Sequence, residues 1–241
     1  MKSFTVSVRK LTDVELLREA CSTTFLGTSH ASLSQLYKSE HSPARTQMFW
    51  ITLQNIPLYI STHLLRHHVG SVPFQLTCRD DRPGGNPGLP DKVDEIKSLM
   101  TELLEHFHKG GIYTGEQHAK LVEIEYKLDW LKENTDRYTP VNLGLCINAQ
   151  SLIDMSKLRL CKQAATETRQ VFSAIKQEIA KIDPDLADMM VAKCVYRNGL
   201  CGEPRCCGFN STPTFKKELR EYTSHFSEKQ KGIHYKSTQD K

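Results

Sequence analysis

No apolar run in this 241-residue sequence is long enough to cross a membrane, and the opening MKSFTVSVRK lacks the apolar core of a signal peptide. Strong charge is also lacking, because the net charge of +4 is small and spread along the chain. Such a charge favours anionic ligands but does not indicate nucleic-acid binding. We therefore expect a cytoplasmic protein that binds neither a membrane nor a nucleic acid.

The composition is typical of a globular protein, with 39% apolar and 25% charged residues. The length allows one large domain or two small ones, and we predict a single domain over residues 1–241. Without an export signal, the eight cysteines are expected to be thiols or metal ligands. The charged tail over 216–241 is expected to be a helix that fades into disorder.

Local patterns predict both strands and helices. Alternation marks Phe4–Val8 as a strand, and Thr12-Asp13 caps a helix over Val14–Ala20. Further predicted elements are a β-rich stretch over Met48–Leu53, a helix from Leu58 after Pro57, helices over Val93–Phe107 and Glu116–Leu131, and loops over Gly27–Ser34 and Asp80–Asp91. The helical periodicity of the last two helices is carried by Ile96, Leu99, Met100, Leu103, Leu104 and Phe107, and by a buried stripe of Leu121, Ile124, Leu128 and Leu131.

The stretch from Arg66 to Arg79 contains the first candidate site. It follows a mostly apolar segment and holds two arginines, two histidines and a turn with Gly70 and Pro73. The planar donor fork of arginine suits phosphates and carbonyl edges, so the stretch suggests an anionic planar ligand such as a nucleotide. The alternative is an exposed loop with ordinary surface charge.

His63 and His67 lie four residues apart on the predicted helix, which is a spacing of metal ligands. No third ligand lies nearby in sequence, and Leu64 occupies the position at which the usual helical zinc motif has glutamate. We therefore prefer hydrogen-bonded histidines that line a polar pocket.

A second polar block covers residues 137–159. If the part from Gly144 is helical, one line along its face carries Asn148, Ser151, Met155 and Arg159. Such a line is consistent with a ligand-facing surface, and equally with a helix that is capped by asparagine and ends in arginine.

A third candidate site is the Cys-rich segment 194–207. It contains Cys194, Cys201, Cys206 and Cys207, interspersed with glycine and proline residues that form turns. Three or four thiolates on such a knuckle bind structural zinc. The first spacing is wider than the common one, so buried thiols are the alternative.

The first stretch resembles the signature of the flavin-dependent thymidylate synthases, which reads Arg-His-Arg, two residues, Ser, one residue, Asn-Glu, one residue, Ser, one residue, Arg. Arg66 and His67 match it, His68 stands at its third position, and Ser71 is in register.

After that serine, the resemblance needs one extra residue in this chain. The insertion sets Gln75 against the family's Glu, Thr77 against its second Ser and Arg79 against its last Arg. Without this insertion, three positions that are polar in the family would be occupied by Phe74, Leu76 and Cys78. The family's Asn is lost, with Pro73 or Phe74 in its place.

The second block is similar to the family's second signature. The matching residues are Arg137, Asn148, Ser151, Leu152 and Arg159, whereas Gln150 replaces an Arg and Asp154 replaces an Asn. His41-Ser42-Pro43 resembles a segment that precedes the first signature, although residues 44–46 depart from it. The following segment resembles the family's next helix at Ala164, Ala165, Glu167 and Arg169. We expect this helix to serve packing.

The resemblance implies an α+β fold with a mixed or antiparallel sheet wrapped by helices, and a homotetramer. It implies conversion of dUMP to dTMP, with methylenetetrahydrofolate as carbon donor and NADPH reducing equivalents relayed by FAD. Arg159 would be catalytic, because a cation beside the pyrimidine stabilises negative charge on the ring. By the same resemblance, substrate would be bound by His63, Arg66, Gln75, Thr77, Arg79, Arg137 and Arg159. The flavin would be bound by Ser42, Arg66, His67, His68, Asn148, Gln150 and Asp154.

The departures from the family pattern leave other functions open. Cys78 lies inside the signature loop, and other thymidylate synthases use a cysteine nucleophile. The Gln75 amide both donates and accepts hydrogen bonds, whereas the family's carboxylate only accepts them. This difference allows another substrate, a deoxypyrimidine monophosphate such as dCMP, or a hydroxymethylation reaction. The residues His68, Gln150 and Asp154 favour a non-catalytic nucleotide-binding or zinc-stabilised relative as the competing function.

Overall fold

The structure, a computed structural model, describes residues 3–25, 27–76, 90–134 and 136–227. Four strands form an antiparallel sheet in the order β1-β2-β4-β3. They are β1 (Thr5–Lys10), β2 (Met48–Pro57), β3 (Ser71–Gln75) and β4 (Pro140–Asn148). The sheet and the helices around it confirm the predicted α+β fold. A mixed or an antiparallel sheet was expected, and the sheet is antiparallel.

Ten helices are found in these ranges. They are α1 (Val14–Phe25), α2 (Leu33–Lys38), α3 (Leu58–Leu65), α4 (Pro90–His108), α5 (Gly115–Glu133), α6 (Ala149–Arg159), α7 (Thr166–Ile182), α8 (Pro184–Met189), α9 (Lys193–Tyr196) and α10 (Pro213–Ser224). Two short 3-10 helices cover Ser42–Thr46 and Phe209–Ser211. None of the described helices is long and apolar enough to cross a membrane.

The main core lies on one face of the sheet. Alternate residues of the central strands are buried there, namely Phe49, Ile51 and Leu53 on β2 and Leu143, Leu145 and Ile147 on β4. Helices α6 and α7 cover this face, because each helix turns an apolar stripe towards it and each strand turns every second side chain towards the helices. On the opposite face Trp50 and Phe74 pack together, with ring centroids 5.5 Å apart.

Most predicted elements are present, with shifted ends. Asp13 caps α1 as expected, since its Oδ1 accepts a hydrogen bond from the Leu16 amide over 3.0 Å. The predicted loop over Gly27–Ser34 ends early, because Ser32 caps α2 and forms a capping box with Gln35. The loop over 80–91 and the end of the charged tail fall largely outside the described residues.

One prediction of helix is wrong. The segment Gly144–Asn148 belongs to β4, where Ile147 pairs with Phe49 of β2, and the helix begins only at Ala149. The alternating burial of β4 gives the reason, since every second side chain enters the core. Met155, predicted on a ligand-facing line, is 1% exposed and lies in that core.

Helices α4 and α5 pack on each other and form a small separate core of Ile96, Leu103, Ile124 and Leu131. A two-helix hairpin buries only one stripe of each helix, so part of the periodic apolar set stays exposed. Leu121, predicted to be buried, is 41% exposed, and the other exposed members are Met100, Leu104 and Phe107.

Candidate active site

Strand pairing brings the two polar blocks together. β3 lies beside β4, so that Ser71 is opposite Ile147, and the loop before β3 meets the start of α6. The Asn148 amide donates to the Gly70 carbonyl over 3.0 Å, and Ser151 Oγ donates to the Val69 carbonyl over 2.7 Å. The Asn148 side chain caps α6 by accepting from the Ser151 amide. The two blocks are therefore joined by backbone as well as side-chain bonds.

Gly70 is required at this junction. Its φ is +69°, in the left-handed region that favours glycine. A Cβ on this residue would lie 2.2 Å from Asn148 Nδ2 and 2.4 Å from Ser151 Oγ. The missing side chain lets the signature loop lie directly on the α6 N-terminus.

His67 and Arg159 form the direct side-chain link between the blocks. Arg159 Nε donates to His67 Nε2 over 2.9 Å. Because Nε always carries its proton, His67 must accept with Nε2 and is the neutral tautomer protonated on Nδ1. Burial, followed by the Arg159 charge, lowers the pKa of His67 to about 4. This imidazole is thus a neutral, fixed acceptor at neutral pH.

Three guanidinium groups lie close enough to His63 to affect its pKa. Burial lowers the pKa of His63, and the cations of Arg159, Arg66 and Arg137 lower it further, in that order. The pKa of Arg159 is itself lowered by burial and by the like charge of Arg66. His63 Nδ1 lies 3.1 Å from Thr168 Oγ1. The cluster is a cationic pocket suited to an anion, and the expected hydrogen-bonded histidines are confirmed.

Arg137 is held by aromatic rings. Its guanidinium carbon lies 4.6 Å from the centroid of Tyr59 and 5.4 Å from that of Tyr138. The Tyr59 amide donates to the Arg137 carbonyl over 3.1 Å, which ties the residue to the first turn of α3. Burial, with a hydrogen bond to Glu167, raises the pKa of Tyr59 to about 12.

Gln75 is the last residue of β3 and faces α3. Its Oε1 lies 3.0 Å from Ser61 Oγ, a hydroxyl that also lies 2.8 Å from the Leu58 carbonyl. Among the described residues, the Gln75 amide is thus tied to α3 through one of its two ends. The other predicted substrate residues of this loop, Thr77 and Arg79, lie outside the described residues, as does Cys78.

The predicted flavin residues of α6 form a second polar patch. Gln150 Nε2 donates to Glu40 Oε2 over 2.6 Å, and Lys157 Nζ lies 3.0 Å from both Glu40 and Asp154. Although burial opposes it, hydrogen bonds from Tyr196, Lys157 and Gln150 hold the pKa of Glu40 below its ordinary value. Ser42 and His68 are exposed, as is Arg66 at the C-cap of α3.

One feature of this patch fits a bound flavin. Gln150 is 9% exposed, and its Oε1 has no hydrogen-bond partner among the described residues. Such a buried acceptor is satisfied by a ligand N–H of the kind that flavin and adenine rings carry. The residues present therefore fit FAD.

Several residues of the site were missed from the sequence. Thr168 contacts His63, although its helix was assigned to packing, and Glu40 joins Gln150 from a position with φ +48°. Neither belongs to a recognisable motif, so no sequence signal identified them. Arg169 does serve packing as expected, since it donates to the Lys162 and Ala164 carbonyls.

The four cysteines of segment 194–207 line a single small cavity in the C-terminal part of the chain. They share it with Cys161, which lies just beyond α6 and was not singled out from the sequence. Burial, followed by the proximity of Cys161, raises the pKa of Cys194 to about 11.

The amino-acid sequence of the chain is similar to those of known proteins. A family model described as thymidylate synthase complementing protein matches residues 4–185. The flavin-dependent thymidylate synthase of Sulfurisphaera tokodaii is 25% identical over 171 residues, which cover 68% of this chain and 61% of the relative. The match thus spans less than two thirds of that relative's length.

Solved structures share the fold. Two crystal structures of thymidylate synthase X from Helicobacter pylori, both with FAD and dUMP, align over 77% of this chain. Their TM-scores are 0.50 and 0.52 at 13% sequence identity, and the alignments cover 97% and 99% of those chains.

Proposed function

The chain belongs to the thymidylate synthase complementing protein family, and on that premise we propose that it transfers a one-carbon methyl group from methylenetetrahydrofolate to carbon 5 of dUMP, giving dTMP. FAD is the cofactor, NADPH is the reductant, and the enzyme works in the cytoplasm. The observation that carries this proposal is the hydrogen bond from Arg159 to His67, which joins the two signature blocks, with Arg66 and Arg137 close enough to lower the pKa of His63. A deoxypyrimidine monophosphate offers both a phosphate and carbonyl edges to such donors.

Arg159 is the residue we assign to catalysis. Its guanidinium lies half-buried at the end of α6, and His67 fixes its Nε, which leaves the terminal NH₂ groups as donors for the substrate. A cation held beside a pyrimidine carbonyl stabilises the negative charge that develops as carbon 5 becomes nucleophilic. Burial strengthens this effect, because water screens the charge less.

Arg137 and Arg66 are assigned to the nucleotide phosphate. Arg137 is exposed and oriented by Tyr59, and Arg66 lies at the exposed C-cap of α3. Thr77 and Arg79 complete the phosphate site by resemblance. His63 and Gln75 are assigned to the substrate by the same resemblance. His63 contacts Thr168, and Gln75 contacts Ser61 of α3.

FAD, when bound, supplies the hydride chemistry. His67, His68, Arg66 and Asn148 hold it beside the signature loop, and Ser42, Gln150 and Asp154 hold its more distant groups. Gln150 accepts a flavin or adenine N–H with its unpaired Oε1. Lys157 and Glu40 keep that side chain in place.

We also propose that the enzyme is a homotetramer. Val72 and Phe74 are 55% and 57% exposed on the sheet face that bears Trp50. Such an apolar face supports burial against another subunit. Light scattering of the purified protein measures the mass, and a monomer would contradict this part of the proposal.

The activity is tested with the purified protein. Its visible spectrum should show bound flavin, and dUMP with methylenetetrahydrofolate and NADPH should give a product with the mass of dTMP. Arg159→Ala should abolish turnover, whereas Arg220→Ala, on the exposed side of α10, should retain it. A colourless protein that binds neither FAD nor dUMP would overturn the proposal.

The second candidate is a different deoxypyrimidine substrate or a hydroxymethyl product. The position of Gln75 favours it, because the free end of its amide decides whether a donor or an acceptor meets the base. Parallel assays with dUMP and dCMP, followed by product mass, separate the two candidates.

A further inference from the structure

Five cysteine side chains converge on one cavity that lies apart from the nucleotide pocket. They come from three places along the chain: the loop after α6, helix α9, and the segment between α9 and the second 3-10 helix. The residues are Cys161, Cys194, Cys201, Cys206 and Cys207. Because the first of them is 33 positions before the second along the sequence, only the fold brings these thiols together.

The size of the cavity limits what it can hold. Its volume is about 20 Å³. That is enough for one water molecule or one ion and too small for an organic ligand. A cavity of this size lined by thiols matches a single soft cation.

A backbone donor and two ammonium groups lie near the sulfur atoms. The Gly208 amide donates to Cys206 Sγ over 3.4 Å, which is possible because Gly208 turns the chain at φ +77°. Lys162 and Lys193 also line the cavity. Backbone N–H donors and nearby ammonium groups both offset the negative charge of metal-bound sulfur.

We propose that this cluster binds one Zn²⁺ through Cys161, Cys194, Cys201 and one of the adjacent pair Cys206 and Cys207. Four thiolates in tetrahedral arrangement form a structural zinc site. Within the part of the chain that the structure describes, no three Cys, His, Asp or Glu side chains are already arranged around a metal position. Binding of zinc therefore requires the thiols to rotate inward, and it releases their protons.

The zinc fastens the C-terminal segment to the end of α6. That segment lies beyond the family match and has a small core of its own, formed by Val191, Ala192, Val195, Phe209 and Phe215. A core of this size stabilises little structure by itself, and a metal is a common supplement. Cys161 follows Arg159, the residue assigned to catalysis under the proposed function, by two positions in the chain.

Metal analysis of the full-length protein, purified under reducing conditions and dialysed, tests the proposal. We expect about one zinc ion per chain. Cys161→Ser, Cys194→Ser and Cys201→Ser should each lower the zinc content at least about five-fold, because three thiolates bind zinc far less tightly than four. Cys21→Ser and Cys146→Ser are matched controls, since neither thiol lines the cavity, and both should retain the metal.

Two further measurements keep the outcome clear if a buried variant fails to fold. The double variant Cys206→Ser, Cys207→Ser changes only exposed side chains and should fold, with an unchanged circular dichroism spectrum, yet lose zinc. Cobalt added to metal-free wild type should give the absorption bands of a tetrahedral thiolate complex. Absence of zinc after zinc is supplied to the reduced protein would overturn the proposal, as would disulfides detected by intact mass or full zinc content in the variants.

Discussion

Arg159 Nε and His67 Nε2 lie 2.9 Å apart, although the two residues are separated by 92 positions in the chain. The bond joins the end of α6 to the loop that follows α3, and it orients the guanidinium that we assign to catalysis. His67 is therefore a positioning residue for Arg159 in addition to its proposed contact with the flavin.

His67→Ala should lower kcat for dUMP conversion by roughly ten- to a hundred-fold, because a hydrogen bond to a charged group is worth about 1.5–3 kcal/mol. His67→Gln keeps an acceptor and should recover part of the loss. His30→Ala, at an exposed position of the loop before α2, is the control. Steady-state kinetics that show equal kcat for wild type and His67→Ala would contradict the positioning role.

His67 should also make stability depend on pH. Its pKa is about 4 in the folded chain and near 6.5 when unfolded, so only the unfolded chain takes up a proton between these values. Stability therefore falls as the pH is lowered from 6.5 towards 4, by at most about 1.4 kcal/mol per unit. Solvent screening at this half-exposed site reduces that slope.

Urea denaturation of wild type and His67→Gln at pH 7 and pH 5 measures this contribution, because other titrating groups cancel in the comparison. The stability difference between the two proteins should shrink by roughly 1 kcal/mol at the lower pH. A difference that stays constant would show that His67 titrates normally.

Gly70→Ala should destabilise the protein by more than about 2 kcal/mol. The left-handed backbone costs a non-glycine residue about 1 kcal/mol, and the new Cβ collides with Asn148 and Ser151. Gly110→Ala is a matched control, since Gly110 has φ +81° but nothing within 4 Å of the added Cβ. Equal unfolding free energies for the two variants would mean that the loop moves away from α6 easily.

Gln150→Met should weaken FAD binding by about ten-fold, because it removes the unpaired acceptor while keeping the side-chain volume. Fluorescence titration of the flavin-free protein measures the dissociation constant. Gln177→Met, at an exposed position of α7, provides the control. Unchanged affinity would remove Gln150 from the flavin site.

Gln75→Glu should keep dUMP turnover within about three-fold, because the resembling family has a carboxylate there, whereas Gln75→Leu should lose more than about ten-fold. The rates of product formation from dUMP and from dCMP, with each product identified by its mass, measure the turnover of both variants. A wild type that prefers dCMP, with Gln75→Glu shifted to dUMP, would favour the second candidate function.

Much of the site was predictable because its motifs are local. The order of the two signature blocks, the helix from Leu58 and the cap of α1 by Asp13 depend on residues that are neighbours in sequence. Periodicity failed where long-range burial decided. It gave helix for Gly144–Asn148, whereas pairing with β2 makes this segment a strand. It also marked Leu121 as buried, whereas the α4–α5 hairpin leaves it exposed.

The sequence by itself determined the chemical types at the site, arginine, imidazole and amide, and the class of ligand that they suit. Only the tertiary structure decided which of them meet: Arg159 with His67, Gln150 with Glu40, and Cys161 with the distant thiols. The physical reason is that hydrogen bonds and metal sites depend on distances of a few ångströms. Residues far apart in the chain reach such distances only when strand pairing and core packing fix their positions.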